Sequence, residues 1–170
     1  EGIELKFKSK VVITGNIVRE EILNFKNNQK FLADELNILI LGGSQAAQAF
    51  GEFLPEIFKQ CIDANIKIKI IQQCTETQNS KLEEYYKDLK INYELFHFTD
   101  NIIKYFSKAQ LVITRSGSSV TAELINCKIP FITIPYPYSA DSHQDKNAVY
   151  FEKKGYSFLI QEKEVHKELF

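Results

Sequence analysis

An α/β fold built on a Rossmann-like, doubly wound parallel sheet is what this 170-residue sequence predicts. Three observations carry that expectation. Short runs of Ile, Val, Leu and Phe alternate with helical stretches along the chain. The best of these runs are nearly continuous rather than alternating, as parallel strands covered on both faces require. Small or polar residues follow the runs, where doubly wound sheets place their ligands.

Taken in order, residues 10–15 (KVVITG) read as a first strand, and the polar stretch 24–32 as a connector. Further strands are expected at 37–43 (NILILGG), 67–74 (KIKIIQQC), 93–98, 111–115, 129–136 and 156–161. Between them, Ala47, Phe50, Leu54, Ile57, Phe58 and Cys61 recur at helical spacing. Pro55 interrupts that pattern and is expected to kink it or mark a start. A second helix is expected at 81–89, and Asp100 is the expected N-cap of a third at 101–108. Helices at 118–127 and 141–154 complete the set, the latter ending on Gly155 as its C′ residue. Residues 162–170 have a helical look.

Apolar residues make up 44% and charged residues 25% of the chain, ordinary values for one globular domain. The net charge of −1 and the absence of a basic stripe argue against a nucleic-acid partner. Three widely spaced cysteines, Cys61, Cys74 and Cys127, fit neither a disulfide framework nor a metal knuckle. Cys61 and Cys127 are expected to be buried free thiols. No apolar run is long enough to span a bilayer. The chain starts at Glu1 and contains no methionine, so a piece of a longer protein is expected.

Four strand ends hold chemistry. Gly42-Gly43-Ser44-Gln45 offers close backbone approach and a helix N-terminus for a phosphate, or simply a tight turn. It is not the three-glycine dinucleotide fingerprint. Arg115-Ser116-Gly117-Ser118-Ser119 repeats the arrangement with hydroxyls added; Ser118 or Ser119 serves equally as an N-cap. Glu123 reads either as a carboxylate favoured by the helix dipole or as a bidentate acceptor for two sugar hydroxyls. Residues 139–148 (SADSHQDKNA) bring amides suited to sugar hydroxyls, Gln144 and Asn147 among them. His143 there has nothing to orient it as a base, and Asp-x-His alone is weak evidence for metal. At Thr14-Gly15-Asn16-Ile17-Val18-Arg19, the arginine suits a diphosphate, with an ordinary surface arginine as the plainer alternative. Together these loops point to a phosphate-bearing sugar.

In order and spacing, TGNIVR, ILILGGSQAAQAFGEFLP, HFTDNI, TRSGSSVTAEL and IPFITIPYPYSADSHQDKNA resemble the C-terminal half of the MurG family of bacterial glycosyltransferases, over about residues 10–161. The resemblance implies the GT-B fold, two Rossmann-like domains across a cleft. This chain would be the single UDP-N-acetylglucosamine-binding domain, residues 1–170, without the N-terminal acceptor domain. Carried over residue by residue, Arg19, Gly43 and Ser44 belong to the donor site, with Ser44 beside the diphosphate. Thr99 faces uracil through its backbone. Ser118, Ser119, Val120 and Thr121 approach the phosphate and nucleotide. Glu123 holds the ribose hydroxyls and Gln144 contacts the sugar. Ile17, Ala46 and Val120 depart from the family's usual proline, glycine and threonine, the last with loss of a hydroxyl.

The implied activity is inverting transfer of N-acetylglucosamine to lipid-linked N-acetylmuramoyl-pentapeptide in peptidoglycan synthesis, without metal or other cofactor. The general base, the acceptor site and the main membrane-docking surface belong to the missing domain. The whole enzyme is expected as a peripheral protein on the cytoplasmic face of the bacterial inner membrane, and the isolated chain is expected to be inactive. Two alternatives stand beside this: a stand-alone nucleotide-sugar module with a separate membrane partner, and a GT-B epimerase relative. A NAD-binding domain is disfavoured by the absent fingerprint.

Overall fold

A computed structural model describes residues 10–12, 15–27 and 34–165. Its elements in chain order are α1 (Glu20–Leu23), β1 (Leu36–Leu41), α2 (Gly43–Asp63), β2 (Ile68–Gln73), α3 (Glu76–Asp88), β3 (Asn92–Phe96), α4 (Ile103–Phe106), β4 (Leu111–Thr114), α5 (Ser118–Cys127), β5 (Phe131–Thr133), α6 (His143–Lys153) and β6 (Ser157–Leu159). The strands form one sheet in the order β3-β2-β1-β4-β5-β6, and every neighbouring pair is parallel. That is a doubly wound order, with its reversal between β1 and β4.

The two-residue period of β1 explains why both sheet faces are covered. Ile38 and Ile40 point into a cluster with Phe50, Phe58, Leu82 and Tyr86 from α2 and α3. Leu39 and Leu41 point the other way, into a cluster with Ile22, Phe106 and Leu124 from α1, α4 and α5. Each fully buried side chain of this size contributes about 1.5–3 kcal/mol, an upper estimate because the unfolded chain is itself partly compact.

Several expected boundaries move for physical reasons. β5 is only three residues long because Pro130 and Pro135 flank it and neither can donate to the ladder. α2 runs straight through Pro55, which neither starts nor ends it. Asp100 is not the cap of α4, whose N-cap is Ile102; Asn101 Oδ1 instead accepts from the Lys104 N–H at 3.3 Å. α6 starts two residues later than expected because Asp141 and Ser142 hold φ of 49° and 50°, outside the right-handed helical region. Gly155, at φ 71°, takes the left-handed position after α6 as expected.

Of the strand expected at 10–15, the described residues form none: Val11 and Val12 are exposed coil and Gly15 lies in no strand, while Ile13 and Thr14 lie outside the described residues. Of the connector, 28–32 lie outside the described residues, and of the last segment, 166–170 do; Glu162–Val165 form a turn. The three cysteines are free; Cys74 and Cys127 are buried, whereas Cys61 is half-buried. Burial, with Glu123 adding to it, pushes the Cys127 thiol up to about 11, so it stays protonated.

Candidate functional site at the carboxyl edge of the sheet

The reversal between β1 and β4 opens a cleft of about 390 Å³ at the carboxyl ends of the strands. Its walls are apolar: Leu41, Phe96, Phe98, Ile102 and Val120. Phe96 stacks on Tyr105 at 3.9 Å between centroids, which stiffens the back wall. Phe98 stands at the rim with 80% of its surface exposed. Gly42, Thr99, Gly117 and Arg19 add backbone and polar groups. A flat heterocycle with a charged tail fits such a lining.

Two helices begin beside this cleft. α2 starts after Gly42 and α5 after Gly117, both glycine N-caps with no side-chain cap bond and no acidic residue in the first turn. Neither helix end is closed by a side chain, so its free N–H groups and positive dipole end remain for an anion.

Apart from Glu123 and Gln144, the expected site residues fall into three groups. Arg19, Thr99 and Val120 line the cleft directly. Gly43 and Ser44 occupy the first turn of α2, and Ser118 and Ser119 are exposed in the first turn of α5. Thr121 is different: it is fully buried and its hydroxyl donates to the Gly117 carbonyl at 2.8 Å, closing the turn rather than facing the cleft.

Glu123 lies one turn into α5, and Arg19 reaches it. Arg19 Nε and Nη2 each stand 3.0 Å from Glu123 Oε1, while Nη1 pairs with Glu21 Oε1 at 3.0 Å. The same segment touches α5 twice more, through Asn16 Nδ2 to the Ser118 carbonyl and Asn27 Nδ2 to the Lys128 carbonyl.

Gln144 is outside the lining but tied to it. Its Oε1 accepts from the Tyr136 N–H at 3.0 Å, which orients the amide and turns Nε2 away from that contact. Its carbonyl accepts from the buried Ser116 hydroxyl at 2.7 Å, and Asn147 Nδ2 donates to the Ser116 carbonyl. His143 Nδ1 lies 2.7 Å from the Ala140 carbonyl, a local loop contact.

Arg115, read in the sequence as part of a phosphate loop, lines the cleft, but its buried guanidinium is engaged by the fold. Nη1 donates to the carbonyls of Ile134 and Pro135 at 3.1 Å and pairs with Glu162. Its guanidinium lies 4.7 Å from the Phe50 ring and 5.5 Å from that of Tyr136. The cleft walls Leu41, Phe96, Phe98 and Ile102 were not singled out in the sequence; only their places at or beyond the ends of β1 and β3 distinguish them from core residues.

A second, larger hollow of about 740 Å³ lies at the opposite edge, lined by Leu124, Ile125, Phe131 and Phe158. The C-terminal ends of α5 and α6 border it, which disfavours an anion there. Among the described residues no group of three or more His, Cys, Asp or Glu is placed to hold a metal ion. No described helix is long and apolar enough to cross a membrane.

Residues 37–170 match the model of the glycosyltransferase family 28 C-terminal domain. Among curated relatives, the UDP-N-acetylglucosamine--N-acetylmuramyl-(pentapeptide) pyrophosphoryl-undecaprenol N-acetylglucosamine transferase of Pelagibacter ubique is 34% identical over 164 residues, covering 96% of this chain and 46% of the relative. The protein of the same name from Rickettsia canadensis is 40% identical over 148 residues, covering 85% and 42%. The chain thus spans about half the length of the curated relatives it matches. The crystal structure of Acinetobacter baumannii MurG superposes with a TM-score of 0.72 at 29% identity, covering 84% of this chain and 42% of that one. A UDP-N-acetylglucosamine 2-epimerase structure from Listeria monocytogenes, at 15% identity and a TM-score of 0.55, shares the fold alone.

Proposed function

The chain belongs to the glycosyltransferase family 28 C-terminal domain family, and on that footing we propose that its carboxyl-edge cleft binds UDP-N-acetylglucosamine as the donor of a sugar transfer. In the whole protein the sugar passes to lipid-linked N-acetylmuramoyl-pentapeptide, the last step in assembling the lipid precursor of peptidoglycan. The observation that carries this reading is the pair of glycine-opened helix N-termini flanking one apolar slot.

In this reading the diphosphate sits on the first turns of α2 and α5, near Gly43, Ser44, Ser118 and Ser119. The uracil ring enters the slot between Phe98, Val120 and the backbone at Thr99. Glu123 accepts from the ribose hydroxyls, and Gln144 donates from Nε2 to the sugar. The acceptor hydroxyl oxygen bonds to the anomeric carbon as the bond to the β-phosphate oxygen breaks on the opposite face. The departing electron pair stays on UDP, where the helix ends stabilise it. The acceptor's proton goes to a general base, which we place beyond these 170 residues. The reading uses the helix ends where other transferases use a metal. Because the acceptor is lipid-linked, the whole protein works as a peripheral enzyme on the cytoplasmic face of the bacterial inner membrane.

Calorimetry on the full-length protein tests the donor site. UDP-N-acetylglucosamine is expected to bind more tightly than UDP-glucose, with no binding of NAD. Glu123→Ala is expected to weaken donor binding at least about tenfold, through loss of charge-assisted hydrogen bonds. Tighter binding of NAD than of the UDP-sugar overturns the proposal.

A further inference from the structure

We infer that Arg19 is a positioning residue: it acts through Glu123 and does not itself hold the donor's diphosphate. The inference rests on the donor-site reading above. All three nitrogens of the Arg19 guanidinium are engaged with carboxylates of this chain, Nε and Nη2 with Glu123 and Nη1 with Glu21. Every nitrogen thus already serves a carboxylate of this chain, and only the second N–H of each Nη group is left over. The two carboxylates also outweigh the single positive charge, so the cluster as a whole does not attract an anion.

The geometry at Glu123 has the opposite character. Arg19 grips one oxygen, Oε1, from two nitrogens and so pins that atom in place. Oε2 has no partner in either contact. The Glu123 side chain is 16% exposed, so it is largely shielded yet still reachable from solvent. A carboxylate held by one oxygen and open at the other suits a pair of vicinal hydroxyls, which need an acceptor of fixed orientation. The backbone supports the same assignment. Arg19 is the N-cap residue of α1, and Asn16 and Asn27 bind the two ends of α5. The segment 15–27 is therefore a strap along α5, and Arg19 is its contact at the carboxylate.

The test separates ribose from phosphate. Dissociation constants are measured by calorimetry on the full-length protein for UDP and for 2′,3′-dideoxyuridine diphosphate. The variants are Arg19→Met, Glu123→Ala and the double variant, each checked for an unchanged thermal transition. Arg19→Met is expected to weaken UDP about tenfold and the dideoxy analogue less than about twofold, and to add nothing in the Glu123→Ala background. Equal weakening of both nucleotides by Arg19→Met, or a full effect of Arg19→Met without Glu123, means direct contact with the diphosphate and overturns the inference alone. If Glu123→Ala leaves the preference for UDP over its dideoxy analogue intact, the ribose assignment of Glu123 fails, and the positioning role of Arg19 with it.

Discussion

Among the helices that begin at the carboxyl edge of the sheet, α2, α3 and α5 do not begin alike. α2 and α5, which follow β1 and β4 at the reversal of strand order, open on glycines and carry no side-chain cap. α3, which follows β2, closes itself. Thr75 and Gln78 form a capping box there, and Gln78 Nε2 reaches across to the Gln48 carbonyl of α2 at 2.8 Å. All three ends carry the same unpaired N–H groups and the same dipole. What differs is whether the chain satisfies them itself. A helix end that the fold closes adds stability; one that it leaves open is available for a ligand and must be held in place by other contacts.

Those other contacts are concentrated at the foot of α5, and the largest expected effect lies there. Arg115→Ala removes two hydrogen bonds to loop carbonyls, the ion pair to Glu162 and the packing between Phe50 and Tyr136. Breaking a buried pair of this kind costs about 3–5 kcal/mol. Urea denaturation is expected to show a loss of that order. A loss below about 1 kcal/mol would mean that the open end is braced by something else, and the division between open and closed ends would lose its structural half.

Gly117→Asp addresses the ligand half directly. Gly117 has φ −67° and ψ 139°, ordinary N-cap geometry, and a Cβ placed there meets nothing closer than Val120 at 3.9 Å. The new carboxylate can cap α5, so stability is expected to stay level or rise by a few tenths of a kcal/mol. The same carboxylate occupies the anion position and repels a diphosphate, and UDP binding is expected to fall at least about tenfold. Unchanged UDP affinity in a well-capped variant would show that the α5 end is not where the diphosphate rests.

The capping difference also marks what was legible in the sequence. The sheet was readable because NILIL, KIKII and LVIT are apolar runs that parallel strands need, and residues 118–127 were read as the helix they form. The closed end of α3 was missed although T-x-x-Q is a capping signature. Residues 76–80 contain no apolar side chain, so the helical period becomes visible only from Lys81 onward. KVVITG shows the converse: it has strand composition, yet its described residues form no strand and Val12 is 81% exposed, since composition cannot supply a neighbouring edge. At the site, the two glycine-opened helix starts were readable, because glycine and serine after an apolar run mark a strand-to-helix turn. The role of Arg115 was not, since the same RSG segment serves a buried or an exposed arginine, and only tertiary burial by Phe50 and Tyr136 decides which. The walls Phe96 and Phe98 look like strand residues until the topology sets them beside the reversal.

Thr75→Ala carries the smallest expected effect and isolates the capping difference most cleanly. Thr75 is the N-cap of α3 with an extended backbone, and its N–H donates to Gln78 Oε1 at 3.5 Å. Alanine leaves that N–H in place but removes the hydroxyl half of the box, with its contacts to Thr77 Oγ1 at 3.0 Å and Gln78 Oε1 at 3.2 Å. The expected loss is about 1 kcal/mol, typical of an N-cap threonine. Because Gln78 also anchors to Gln48 in α2, part of the box survives, and the loss should not exceed that value. UDP affinity is expected to remain at the starting level, since α3 stands one strand away from the reversal. If Thr75→Ala instead weakens UDP binding as Gly117→Asp does, the nucleotide is spread over the whole carboxyl edge, and capped and open helix ends do not mark separate tasks.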